Sequence, residues 1–314
     1  MRKSSFAFLL LLLPAGAFAA DAPPDWAFLP ATPGYQPPPD NGQPRHVAGS
    51  TKAYSLKQVD DIFNPPDWYP NEHPLMPELV AHGKPPIVHG CAQCHLTSGS
   101  GHPESANISG LPAGYIIEQL AQFRDGSRTS SLPGRSIMNS FGKVLTDDEV
   151  KPAAEYFASI KPVAWTKVVE SDTVPKSFIG EGSMRFVSPG DAKEPIGRRI
   201  IELPQSEEGA KSRDPHAPFV AYVPTGSIKS GEALASTGGG KTFQCSICHG
   251  ADYKGIGNVP GLAGRSAVYI FRQLYDIQHG ARKGVSVALM QPVVAKLTQD
   301  DMIALAAFMA SRTP

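Results

Sequence analysis

The chain has 314 residues, of which 41% are hydrophobic, and its 29 basic residues equal its 29 acidic ones. This length is sufficient for two domains of ordinary size, and the charge balance argues against nucleic acid as the main partner. The sequence contains only four cysteines, too few for a disulfide scaffold in a chain of this length.

The N-terminus has the pattern of a secretory signal peptide. Basic residues at positions 2 and 3 precede an unbroken apolar run over residues 6–13, which is too short to span a bilayer. Ala17-Phe18-Ala19 then supplies a small-residue cleavage site. We predict that residues 1–19 are a signal peptide removed on export; an uncleaved membrane anchor is the alternative.

A proline-rich extension follows at residues 20–75. Many of the 31 prolines in the chain fall between residues 23 and 44, which favours extended linker structure there.

Two short runs then account for all four cysteines. Residues 91–95 read Cys-Ala-Gln-Cys-His and residues 245–249 read Cys-Ser-Ile-Cys-His. Cysteines three apart on a helical turn face the same way, so both sulfurs can bond to one porphyrin, and the adjoining His can bind its iron. This is the attachment signature of c-type haem. We predict two covalently bound haem c groups, held by Cys91, Cys94 and His95 and by Cys245, Cys248 and His249.

Other uses of paired cysteines fit less well. A thioredoxin-like pair does not need the following His, and a zinc site with four thiolate ligands leaves both histidines unexplained.

The chain contains an internal repeat. A shift of 154 residues places the first haem motif on the second and residues 115–128 on residues 269–282, where Tyr, Ile, Gln, Leu, Gly and Arg coincide. We therefore predict two copies of one haem domain, at residues 76–162 and 228–314.

Each copy is predicted to be helical. Ile116, Leu120 and Phe123 form one apolar stripe, and Gly126 is placed to end that helix. Thr146 and Thr298 each open a later helix with a capping-box pattern. A short helix is predicted over residues 230–237.

Residues 163–227, between the copies, have a different character. Short β-prone runs begin at Ser177, Met184, Arg199 and Phe219 and are separated by Pro and Gly. We predict a long strap packed across both domains.

Met138 and Met290 are the best candidates for the second axial ligand of each iron. They stand 43 and 41 residues after their histidines, at equivalent places in the repeat. A thioether opposite His raises the reduction potential, as an electron carrier requires. The alternative is a core role, which is the commoner fate of Met. The remaining histidines are expected to be surface or hydrogen-bonding residues.

A backbone carbonyl usually orients the proximal His. The carbonyl of Pro260 is the candidate for His249. With a local gap in the repeat, Ser109 becomes its equivalent for His95.

These motifs resemble the soluble di-haem class I cytochromes c of the cytochrome c4 kind. The resemblance rests on both C-x-x-C-H runs, on residues 260–264 and 269–274, and on the run from Met290 to Thr298. It implies an all-α fold of two tandem cytochrome c domains, here joined by the strap. It also implies a periplasmic carrier of electrons from a quinol-oxidising complex or dehydrogenase to a terminal oxidase or reductase. Residues 20–75 and 163–227 have no counterpart in the minimal family.

Two other functions remain open at this point. One is a di-haem peroxidase, which needs an open iron; the other is a cytochrome subunit docked to a dehydrogenase, with peripheral membrane association through that complex. Residues 229–314 carry a formal charge of +4 and residues 21–75 one of −4. A positive patch that includes Lys254, Arg265, Arg282, Lys283 and Lys296 could steer an acidic redox protein.

Overall fold

The fold is taken from a computed structural model, which describes residues 22–30, 35–36, 39–134 and 136–314. The expected signal peptide at residues 1–19 lies outside these residues. In this part of the chain, no helix is both long and apolar enough to cross a membrane.

Six helices lie in the described chain between residues 56 and 159, joined by turns and loops. They are α1 (Leu56–Val59), α2 (Glu78–Ala81), α3 (Ala92–His95), α4 (Ala113–Asp125), α5 (Ile137–Val144) and α6 (Asp147–Ser159). Gly126 ends α4 with φ 77°, a left-handed conformation that glycine adopts without steric cost. The Thr146 hydroxyl accepts a hydrogen bond from the Glu149 amide, and the Glu149 carboxylate accepts one from the Thr146 amide, so α6 begins where the capping box predicts.

The second copy repeats this plan. Its helices are α8 (Ser227–Thr237), α9 (Ser246–His249), α10 (Ala267–Gln278), α11 (Gln291–Val294) and α12 (Gln299–Ser311), with a 3-10 turn at Val285–Met290. Thr298 caps α12 as predicted. The helix predicted from residue 230 begins earlier, at Ser227. Gly231 allows α8 to pack directly on α12, because a Cβ there would overlap the carbonyl oxygen of Ala304.

The strap corrects the all-α prediction, because its β-prone runs pair into sheets. The strands are β1 (Thr166–Glu170), β2 (Thr173–Pro175), β3 (Ser177–Ile179), β4 (Arg185–Val187), β5 (Lys193–Pro195), β6 (Ile201–Pro204) and β7 (Phe219–Val223), and helix α7 spans Glu207–Lys211. β7 is central in a three-stranded sheet, parallel to β1 and antiparallel to β6. β2 pairs with β5 and β3 with β4, both antiparallel.

Glu202, on β6, links the strap to the second copy. Its carboxylate is buried and accepts hydrogen bonds from the Ser266 hydroxyl (2.8 Å) and the Val268 amide (3.1 Å) at the start of α10. Burial raises the pKa of Glu202, although both hydrogen bonds oppose that shift.

Two parts of the N-terminal extension pack against the rest of the chain. Trp26, Ala27 and Phe28 are buried in the core of the second copy. Further along, Trp68 belongs to a small core of its own and donates its indole N–H to the carbonyl of Ser212 in the strap, at 2.8 Å. The linker expectation for residues 23–44 is therefore wrong at residues 26–28, since aromatic side chains there find an apolar surface to cover.

Candidate haem sites

The first motif lies on a single helical turn. Cys91 caps α3 in the right-handed helical conformation (φ −58°, ψ −33°), so Cys91 and Cys94 project from the same turn. Nδ1 of His95 lies 2.8 Å from the carbonyl oxygen of Ala106. An Nδ1–H that donates to this oxygen leaves Nε2 as the nitrogen available to a metal.

The second motif has the same geometry. Cys245 caps α9 at φ −65° and ψ −31°. Nδ1 of His249 lies 2.8 Å from the carbonyl oxygen of Pro260, which confirms the predicted contact. The prediction for the first copy is wrong, because Ala106 rather than Ser109 supplies the carbonyl. Ala106 and Pro260 each stand 11 residues after their histidine, so the ungapped repeat gives the right residue and the inserted gap misplaced it.

Burial shifts the pKa values of these side chains. It raises the pKa of Cys91 to about 12 and that of Cys245 to about 11, which disfavours thiolate ligands. It lowers the pKa of His95 and of His249, which favours the neutral imidazole that binds metals. Across the described ranges, no group of three or more His, Cys, Asp or Glu side chains is arranged to hold a metal ion.

The candidate methionines lie in equivalent surroundings. Met138 is half-buried near the start of α5 and, like Cys91, packs against the core of the first copy. Met290 is half-buried at the end of its 3-10 turn and packs, like Cys245, against the core of the second copy. Met76 also packs against the first core and is a second candidate ligand that the sequence did not indicate. The equivalent position in the second copy is Ser230, so Met76 has no counterpart there.

The other candidates have different roles in the fold. Met302 and Met309 are fully buried on α12, and Met184 belongs to a strap core. Burial lowers the pKa of His102 to about 3, and its ring nitrogens are engaged by the Glu104 amide and the Ser105 hydroxyl. His279 stacks on the Tyr275 ring at 3.8 Å and hydrogen-bonds its carbonyl.

Comparison with known proteins identifies the family. The cytochrome c family model matches residues 229–313. A cytochrome c4 from Pseudomonas aeruginosa is 35% identical over 222 residues, which is 69% of this chain and 81% of that protein. The chain belongs to the cytochrome c4 family.

Further relatives have related names. The thiosulfate dehydrogenase electron acceptor of Thiomonas intermedia is 26% identical over 73% of this chain and 81% of its own length. A solved cytochrome c4 from Acidithiobacillus ferrooxidans aligns with a TM-score of 0.47 at 22% identity, covering 70% of this chain and 98% of that one. Membership of the cytochrome c4 family means that this protein is an electron-transfer cytochrome with two covalently bound haem c groups.

In this cytochrome, the two copies meet through a pseudo-symmetric polar cluster at their interface. Arg128 donates to Gln119 of its own copy (2.7 Å) and to Tyr269 and Gln273 of the other (both 3.0 Å). Arg282 makes the mirror set, to Gln273 (3.0 Å) and to Tyr115 and Gln119 (both 2.9 Å). Burial alone would raise the pKa of Tyr115, but Arg282 and Arg128 outweigh it and the pKa is lowered. Tyr, Gln and Arg are identical at these positions in both copies. This identity is the feature of the sequence that could have indicated an interface between the copies.

The cluster fits an anionic group. Arg128 and Arg282 are buried, and among the described residues neither guanidinium has a carboxylate within 4.0 Å. Nε2 of Gln119 and Nε of Arg282 are buried donors without a partner in the described chain. Two buried positive charges with spare donors suit porphyrin carboxylates, so this interface and both motifs are compatible with haem in each copy.

A third arginine bridges the copies. The Arg265 guanidinium donates to the carbonyl (3.0 Å) and side-chain oxygen (2.6 Å) of Asn107 and to the carbonyl of Ser109 (3.0 Å). Burial lowers the pKa of Arg265 to about 10. Since Arg265 and Arg282 are both buried, they cannot belong to the predicted surface patch, whereas Lys254, Lys283 and Lys296 are exposed.

Proposed function

We propose that this cytochrome takes electrons from a periplasmic dehydrogenase and delivers them to a terminal oxidase or reductase, with no substrate chemistry of its own. The observation that carries the proposal is the matched geometry of the two copies. In each copy a cysteine pair on one helical turn, a carbonyl-oriented His and a half-buried Met border the same core. An iron bound by both the His and the Met of its copy would leave no position for a substrate.

The proposed ligands follow from that geometry. Cys91 and Cys94 would hold the first haem, and Cys245 and Cys248 the second. His95 and Met138 would bind the first iron, and His249 and Met290 the second. The haem supplies one-electron chemistry when bound. The carbonyls of Ala106 and Pro260 fix the tautomer and direction of each imidazole. Met138 and Met290 each pack against the apolar core of their copy.

The choice of donor rests on the relatives. Two of them, from Thiomonas intermedia and Stutzerimonas stutzeri, are named thiosulfate dehydrogenase electron acceptor. These names favour a dehydrogenase over a quinol-oxidising complex. We place the two haem domains at residues 76–162 and 228–314, with residues 1–19 as a cleaved signal and membrane association only through a partner.

Stopped-flow spectroscopy tests this proposal directly. The oxidised di-haem protein is mixed with a purified thiosulfate dehydrogenase and thiosulfate, and the haem spectrum is followed. Both haems should become reduced, and omission of thiosulfate should abolish the reaction. Reduction only by a quinol-oxidising complex would contradict the donor, and rapid turnover of hydrogen peroxide would favour the peroxidase alternative.

A further inference from the structure

The two haem motifs are equivalent in the repeat but differ in what covers them. Gln93, between the cysteines of the first motif, is 2% exposed, whereas Ile247 at the same place in the second motif is 66% exposed. Cys94 is half-buried and its counterpart Cys248 is exposed. The same turn is therefore closed in one copy and open in the other.

The chain's own additions close the first motif. The carbonyl of Ile62 in the extension accepts a hydrogen bond from the Gly90 amide at 2.9 Å, directly before the first haem cysteine. Arg213 of the strap donates to the carbonyl of Gln93 (3.2 Å) and to that of Val59 (3.0 Å). Extension and strap thus meet over this turn.

A ring contact extends the cover. Phe63 packs edge-on against His89 with ring centroids 6.1 Å apart, and His89 packs in turn on Phe141 at 5.0 Å. The position equivalent to His89 in the second copy is Phe243, which is 58% exposed.

The second copy presents an open face, defined here by Phe243, Ile247 and Leu289. Leu289 is 79% exposed and directly precedes the proposed ligand Met290. The Thr242 hydroxyl donates to the carbonyl of Val293 at 2.7 Å, which holds the segment before the motif against the segment after Met290. Large apolar side chains exposed beside a redox site are typical of a protein-docking surface.

The two copies also differ in their exposed charges. Lys283 and Lys296 flank the Met290 segment, are exposed, and form no ion pair with the described residues. Thr129 and Val144 stand at their places in the first copy. The extension, which covers the first motif, carries a formal charge of −4 over residues 21–75. An acidic partner is attracted to the second copy and repelled from the first.

We propose that protein partners dock at the open face alone, and that the occupant is a redox protein with an apolar docking surface rimmed by carboxylates. This inference rests on the proposed electron-transfer function. At this face the partner loses one electron and the chain gains it; the covered first copy exchanges electrons with proteins only through the second.

Reduced flavodoxin, an acidic flavoprotein, is a suitable probe. Carbodiimide joins lysine amines to carboxylates in the complex, and mass spectrometry of the holoprotein should place the links at Lys283 and Lys296 rather than at Lys52 or Lys57 of the extension. Links at the extension in preference to these lysines would overturn the proposal.

Matched substitutions give a second readout. Ile247→Glu places a negative charge in the open face, and we expect the second-order rate of reduction by flavodoxin and the yield of cross-links to fall at least tenfold. Ile87, before the first motif, is also exposed and apolar. Ile87→Glu should change the rate of reduction and the yield of cross-links by less than twofold. An equal loss in the two variants would refute the assignment. If thiosulfate dehydrogenase fails as a donor while these results hold, the docking face stands and the donor is wrong.

Discussion

Replacing Arg265 with Met tests how strongly the two copies are held together. Arg265 belongs to the second copy, and its three hydrogen bonds to Asn107 and Ser109 all cross to the first. Met keeps much of the aliphatic volume of the side chain but donates nothing, so three buried oxygens lose a charged donor.

The expected magnitude follows from two opposing effects. A hydrogen bond from a charged group contributes about 1.5–3 kcal/mol, so three contribute about 5–9 kcal/mol. Burial opposes this: the fall of the Arg265 pKa from 12.5 to about 10 corresponds to about 3 kcal/mol against the charged form. Arg265→Met should therefore lower the free energy of unfolding by about 2–6 kcal/mol.

Guanidinium unfolding of the holoprotein, followed by circular dichroism, measures this loss. Arg312→Met is the matched control, because Arg312 is exposed and its guanidinium lies over the Phe308 ring. We expect the free energy of unfolding to change by no more than about 0.5 kcal/mol. If Arg265→Met unfolds at the same midpoint as Arg312→Met, the cross-copy bonds do not stabilise the protein and the reasoning fails.

Three further predictions concern single side chains. Burial raises the pKa of Glu202 above its ordinary 4.5, so the folded protein binds a proton at this carboxylate more tightly than the unfolded chain does. The stability of the wild type should therefore fall as the pH rises from 4.5 to the pKa that Glu202 has in the folded protein. The Glu202→Gln variant should lose less stability than the wild type over this pH range. If the melting temperatures of the two proteins fall with pH at the same slope, this prediction is refuted. Met290→Ala should open the second iron to carbon monoxide with covalent attachment intact; a carbon monoxide spectrum unchanged from wild type would exclude Met290 as ligand. Cys248→Ala should reduce covalent haem in the second copy, measured by mass spectrometry, and two fully attached haems would contradict its role.

Local signals predicted much of each copy. The capping boxes at Thr146 and Thr298, the end of α4 at Gly126 and the carbonyl of Pro260 depend on residues close in sequence, where spacing and residue type decide the geometry. The Ala106 carbonyl was missed because the gap inserted in the repeat moved the predicted match three residues further on, to Ser109.

The features that could not be predicted from the sequence depend on contacts between distant segments. β1 was not predicted, and its parallel partner β7 lies about fifty residues further on, where no local pattern fixes a register. The cover over the first motif likewise joins Val59 to Arg213, 154 residues further along the chain. The residue type at position 59 does not indicate this contact, because Val59 contributes only its backbone carbonyl to the bond with Arg213.

The central claim is that both irons are closed by an imidazole and a thioether. The most direct test is the near-infrared and electron paramagnetic resonance spectrum of the oxidised holoprotein, with haem content measured on the same sample. We expect two covalently bound haems, both low-spin, with the weak near-infrared band of Met–Fe(III) ligation from each. One high-spin haem, or the Met band from only one of the two, would contradict the account.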